Sequence, residues 1–178
     1  MAPHRAARQV METLAARIAR KKQELQAAAP RIALAMATAG LSLVRLRIER
    51  DGLPGKSYST LTVPTFLFYN RTLNAGGRAY IKQNKRGTWG ALRGAQGLPS
   101  DRVTLGYTNR MWNSLTATGS GATGTVFTAR VVSTDREGAD RVRYNRARYG
   151  DFLQPNAAET KRLGLSAERE ITRILQSP

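Results

Sequence analysis

Apolar residues recur at helical spacing through the first fifty positions and at alternating spacing further on, and this change of period divides the chain. Ala7, Met11, Leu14 and Ile18 share one face of a predicted helix over residues 4–28, a stretch rich in Ala, Arg, Lys and Gln. Lys21 and Lys22 interrupt that stripe, so the helix is expected to dock loosely or to be completed by a neighbour. Pro30 has no amide donor and predicts a break or kink. Residues 31–50 read as a second helix. Ile32, Met36, Leu43 and Leu46 lie on one face and Leu34, Leu41, Val44 and Ile48 on the opposite one. A helix apolar on two sides needs cover on two sides. A sheet supplies one; the first helix or another subunit supplies the other. Asp51-Gly52 ends the helix, with Gly52 suited to a left-handed cap.

Residues 52–100 read as an extended loop or arm. Aromatic residues (Phe66, Phe68, Tyr69) are followed by a turn cluster at 74–77 and a basic run of Arg78, Lys82, Lys85 and Arg86 punctuated by Tyr80. Basic residues with interleaved aromatics can track nucleic acid; the same aromatics can equally pack on a neighbouring subunit. Gly87, Gly90, Gly94 and Gly97 shape a loop around Trp89. Residues 101–150 read as the β-sheet region. Val103, Leu105 and Tyr107 alternate as a strand, Asn109-Arg110 make a corner, and Met111, Trp112 and Leu115 enter a second strand. The run 118–124 predicts a hairpin turn, 125–133 a strand, 134–140 a polar turn and 141–149 a further strand. That last strand sets Arg141 and Arg143 on one side and Arg146 and Arg148 on the other. After a break at 150–155, residues 156–178 are helical, a short turn preceding a final helix capped by Ser166. The fold class is α+β: one domain over 1–178, with long N-terminal helices (a basic one over 1–30) on a small antiparallel sheet, an arm and a C-terminal helix.

Charge sharpens this picture. The chain carries 29 Lys plus Arg against 12 Asp plus Glu, a net charge of +17. Residues 151–178 hold four of each sign, so the whole surplus lies in residues 1–150. Such a field favours anionic partners, nucleic acid above all. Candidate chemistry is sparse. There is no cysteine and one histidine, His4, which leaves no nucleophile–histidine pair and no thiolate or histidine metal site. No glycine-rich phosphate motif stands between a strand and a helix. Asp101, Asp135, Glu137, Asp140 and Asp151 fall in turns, where carboxylates cap locally; an acidic hydrolase would have to draw on them. The residues therefore point away from an enzyme, and no cofactor or metal is expected. No run of about 18 apolar residues predicts a membrane span. The Arg-rich N-terminus lacks the apolar segment of a signal peptide, and Glu12 and Glu24 argue against a transit peptide.

Four stretches taken in order carry a family resemblance: RLRIERDG before SYST, GTWGALRGAQGLPSDRVTL, GYTNRMWNSLTA, and NRARYGDFLQPNAAE. Together, across residues 31–165, they resemble the small neck, or tail-completion, proteins of tailed bacteriophages. Asn109 stands where that family more usually has glycine, and the arginine-heavy first helix is a departure. The resemblance implies an α+β subunit of a virion, assembled in the host cytoplasm. Copies would close into a ring, commonly hexameric or portal-matched, between portal or adaptor and tail. DNA would pass through it without being read. Arg78, Lys82, Lys85 and Arg86, or Arg141, Arg143, Arg146 and Arg148, would face the lumen or an acidic partner. Phe66, Phe68, Tyr69 and Trp89 would pack between subunits. The alternative is a basic nucleic-acid-binding protein without ring assembly.

Overall fold

In the computed structural model, residues 13–70, 72–123 and 126–177 are described. The architecture is α+β. One 38-residue helix, α1 (Leu14–Asp51), is the spine. Thr13 caps it by accepting from the Ala16 amide at 3.2 Å. The expected break at Pro30 is absent, and the helix passes through it. The missing hydrogen bond is outweighed by elements that grip α1 on both sides of the proline. The part of the first predicted helix before Thr13 lies outside the described residues. Polar positions along α1 satisfy themselves locally, Thr38 and Ser42 each donating to the carbonyl four residues back. Gly52 ends the helix with φ 75° and its N–H on the Ile48 carbonyl, as the sequence predicts.

The last helix, α6 (Ala157–Gln176), runs antiparallel along α1. Lys21 reaches the Ile174 carbonyl at 3.0 Å, Arg31 meets Glu170 at 2.7 Å, and Arg47 meets Glu159 at 2.8 Å. Cover for the second apolar face of α1 thus comes from the same chain, although Leu34 and Leu46 stay exposed. Helix α6 is continuous. It begins at a capping box in which Asn156 and Glu159 satisfy each other's amides, so Ser166 is interior and not a cap.

The hairpin β3 (Leu115–Thr123) and β4 (Val126–Ser133) lies along α1 from another side, antiparallel, with a register shift between Gly119 and Gly121. The expected turn at 118–124 is mostly strand; residues 124–125 lie outside the described ones. Two further expected strands do not form. Residues 103–107 are irregular, with Leu105 at φ 53°. Residues 141–149 belong to a helix, numbered α5 below. Between α1 and the hairpin, the presumed arm folds into a lobe. It comprises β1 (Val63–Pro64), a 3-10 turn (Thr65–Phe68), α2 (Ala75–Gln83), β2 (Arg86–Gly87) and α3 (Trp89–Ala95). Strand β1 pairs with β2, and α2 packs on α3. A five-residue helix, α4 (Arg110–Ser114), starts at Asn109, whose φ of 55° is tolerated by asparagine better than by most residues.

The core lies where the second half of α1 meets α4 and the segment after α5: Val44, Ile48, Leu53, Val103, Met111, Trp112 and Phe152. Trp112 and Phe152 meet edge to face at 6.2 Å. Helix α5 (Arg136–Tyr149) is capped by Asp135 and pressed onto Ser114 and Ser133 at Gly138. Helix α1 is also long and apolar enough to cross a membrane by length and composition, which the reading of two shorter helices concealed. Here the same helix carries α6 and the hairpin on its flanks.

Two expectations follow. A Cβ at Gly138 would sit 2.0 Å from Ser114 Oγ. Gly138→Ala should therefore cost about 1–3 kcal/mol in denaturant unfolding, the usual penalty for overpacking; an unchanged midpoint would show that α5 does not approach Ser114 of α4 this closely. Glu170 accepts from Arg173 and Arg31, and these hydrogen bonds, Arg173 first, lower its pKa to about 2. The depressed value means that the ionised carboxylate favours the folded state. This stability is present above the ordinary carboxylate range and is lost as pH falls from there toward about 2. An NMR titration should place Glu170 near 2, and Arg31→Ala should raise it. A wild-type midpoint in the ordinary range would remove the bridge from α1 to α6.

Candidate functional site

Helix α3 is only seven residues long, started by Thr88 accepting from the Ala91 amide, yet it buries Leu92 and Arg93 completely. Among the described residues Arg93 has no carboxylate partner. Its Nε donates to the Pro99 carbonyl at 2.8 Å, both terminal nitrogens donate to the Gly106 carbonyl at 3.1 Å, and Nη2 donates to Thr104 Oγ1 at 3.1 Å. The guanidinium also lies 4.6 Å from the Tyr58 ring centre. Burial pushes its pKa down, while the Tyr58 and Tyr107 side chains act in the opposite direction. One cation therefore holds a stretch that has no ladder partner, and this is why Val103–Tyr107 alternation does not become a strand. Nothing in the sequence singled out Arg93, because an arginine among glycines reads as surface.

Beside it opens a cleft of about 630 Å³ between α5 and the lobe. Its aromatic walls are Tyr58, Trp89, Tyr107, Tyr144 and Tyr149, and Arg141 and Arg148 line it as well. Trp89 stacks 5.0 Å from Tyr107 and 5.8 Å from Phe68. The helical period re-sorts Arg141, Arg143, Arg146 and Arg148 of α5. Arg141 and Arg148 face this cleft, whereas Arg143 and Arg146 line a recess of about 280 Å³ with Val142 and Leu153. The strand pairing of Arg141 with Arg143 and of Arg146 with Arg148 is thereby corrected. Three of the four are answered within the molecule: Arg141 by Glu137 at 2.7 Å, Arg143 by Asp140 at 3.0 Å and Arg146 by Asp151 at 2.9 Å. Arg148 donates to Tyr144 Oη at 3.4 Å and sits over the Tyr149 ring, contacts that raise its pKa, the Tyr144 hydrogen bond most.

The other cationic set differs. Arg78 and Lys82 stand one turn apart on α2, and Lys85 and Arg86 follow at β2, all exposed. Among the described residues none of the four has a carboxylate partner; Arg86 donates to the Thr62 carbonyl at 2.9 Å. Like charges one turn apart disfavour a helix by about 0.2–0.5 kcal/mol, so this cluster is held against its own repulsion. On the same lobe Phe66 and Tyr69 are 69% and 71% exposed, with Leu67 between them at 62%. Phe68 and Trp89 instead spend much of their surface on each other and on Tyr107. Of the four aromatics expected between subunits, Phe66 and Tyr69 are the ones left open.

Among the described residues, no three His, Asp or Glu side chains cluster closely enough to hold a metal ion. His4 lies outside the described residues. Asp135 and Asp151 serve α5 as cap and arginine partner. No protein-family model, curated protein or solved structure matches this chain.

Removing Arg93 strands three acceptors at once, the buried Thr104 Oγ1 and the partly buried Pro99 and Gly106 carbonyls. Arg93→Ala should destabilise the chain by about 3–5 kcal/mol, each orphaned group costing about 1–3 kcal/mol. Arg93→Lys should recover less than half, since one ammonium cannot span Pro99, Thr104 and Gly106. Urea unfolding of both variants checks this, and full recovery by lysine would show that charge rather than the guanidinium fork matters.

Proposed function

We propose that this chain is a structural, non-enzymatic virion subunit of a tailed phage. Its copies form a ring in the neck that joins head to tail around the DNA channel, docked between portal or adaptor and tail proteins, without membrane contact. One observation carries the reading. The lobe of 63–98 presents exposed Phe66, Leu67 and Tyr69 next to Arg78, Lys82, Lys85 and Arg86, which no carboxylate of the described residues neutralises. Apolar groups left in water are satisfied by a protein neighbour. Unneutralised cations beside them are satisfied by phosphates contacted without base readout. A ring around a duplex supplies both. In this arrangement the lobe, not Arg141, Arg143, Arg146 and Arg148 of α5, offers the phosphate-facing charge, because those four are engaged with Glu137, Asp140, Asp151 and Tyr149. The resemblance across residues 31–165 supports the same reading.

The second reading, a basic nucleic-acid-binding protein, is favoured by the unpaired cluster alone. Light scattering and salt-dependent DNA binding separate the two. The chain should run as a closed oligomer and bind duplex DNA feebly. Phe66→Ser with Tyr69→Ser should yield monomers. Lys82→Glu with Lys85→Glu should leave the oligomer intact and flatten the salt slope by about two or more, roughly one per phosphate contact. A monomer that binds DNA tightly, unaltered in size by Phe66→Ser and Tyr69→Ser, would overturn the ring and leave the second reading.

A further inference from the structure

The first half of α1 poses a separate question, independent of the ring reading. Leu14, Ile18, Leu25 and Ala29 repeat along one face, with Lys21 in the same row. The lysine does not break the row. It is 6% exposed, and its ammonium is drawn sideways onto Glu24 at 2.9 Å, the Ile174 carbonyl at 3.0 Å and Ser177 Oγ at 2.8 Å. There it meets the carbonyl end of α6, where a cation is favoured, while its stem lies in the row. The clamp fixes Leu175 of α6 on one side of the row, and Phe127 of β4 also lines it. The result is an apolar groove of about 580 Å³. Leu14, Ile18 and Leu175 stand in it 74%, 61% and 46% exposed. Arg17 and Lys22 line it too, and among the described residues no carboxylate does. Neither cation has an acidic partner among the described residues.

We propose that this groove receives an acidic amphipathic helix of another protein, its apolar stripe seated against Leu14, Ile18 and Leu25 and its Asp or Glu flanks against Arg17 and Lys22. From residue 14 to residue 29 the floor extends about 22 Å at the helical rise, which matches about four turns of a docked helix. Charge selects the occupant. In a two-fold pairing with a second copy, the basic flank of Arg17 and Lys22 would face the same basic flank of the partner, in a chain of net charge +17. Residues 1–12 carry Arg5 and Arg8 against Glu12 and have the same mismatch. A bilayer is flat, whereas these side chains lie between α1, the end of α6 and β4.

The probe is a labelled synthetic peptide of about 16 residues, the length of the floor, with leucines on one helical stripe and glutamates flanking it. Its twin carries lysines in place of the glutamates. Fluorescence anisotropy with the full chain at physiological salt should show the acidic peptide binding at least about tenfold more tightly than its twin. Ile18→Ser should weaken it about tenfold; that side chain is mostly exposed, so circular dichroism should stay unchanged. Arg17→Glu with Lys22→Glu should reverse the preference between the peptides. Equal binding of both peptides, or of neither, would overturn the proposal. So would tighter binding of a peptide of residues 1–12. Conversion of an oligomer into monomers by Ile18→Asp would assign the groove to a second copy instead. Co-sedimentation with phosphatidylserine vesicles that Ile18→Ser abolishes would assign it to a membrane. The Phe66 and Tyr69 substitutions used to test the ring leave this binding unchanged, so the two readings fail separately.

Discussion

A helix of 38 residues with apolar side chains on more than one face must be covered along its whole length, and everything else in this structure answers to that demand. Helix α6 lies antiparallel on one flank, locked at three levels by Lys21, Arg31 and Arg47. The hairpin lies on another, and the core fills in around Val44 and Ile48. The cover is fuller at the second half of α1, where Val44 and Ile48 are buried although Leu46 is not, than at the first, where Leu14 and Ile18 remain in water. The gradient from buried to bare along one helix separates the half that anchors the core from the half that carries the groove.

The buried guanidinium of Arg93 solves a different problem at the other end of the molecule. Between α3 and α4 the backbone makes no regular ladder, so its carbonyls need donors from elsewhere. A planar group with five donors can serve Pro99, Thr104 and Gly106 together, and the Tyr58 face softens the cost of burying it. The aromatic cleft exists because that segment is held away from α5.

Elements with strong periodicity were legible in the sequence. The two halves of α1, its end at Gly52 and the strand 126–133 follow from spacing alone. Alternation by itself does not make a strand where tertiary bonds decide otherwise. Val103, Leu105 and Tyr107 alternate, but Arg93 takes the Gly106 backbone carbonyl together with the Thr104 hydroxyl. Helix α5 has only Val142, Asn145 and Tyr149 turned partly inward beyond Gly138, so no apolar stripe announces it. Its brackets were nonetheless present: Asp135 before it, Glu137 in its first turn, Arg146 and Arg148 in its last, Gly150 after it. The capping pair Asn156 and Glu159 was likewise readable and was passed over for Ser166. For the site, the basic run 78–86 and the aromatics around 66–69 were legible as surface. That Arg141, Arg143 and Arg146 are answered by carboxylates within the molecule was not, because those pairings depend on a helical period.

Pro30 acquires a meaning from its place in the spine. Lacking an amide hydrogen, it leaves the carbonyl of Gln26 without its usual rung, at the boundary between the grooved half of α1 and the half that anchors the core. Cooperative melting of a helix passes along unbroken rungs, so a gap acts as a firebreak. Unwinding that begins at Thr13 has a place to stop before it reaches Val44. The exposed end of the spine can thus breathe, or be reshaped by whatever grips it, while the buried end keeps its register.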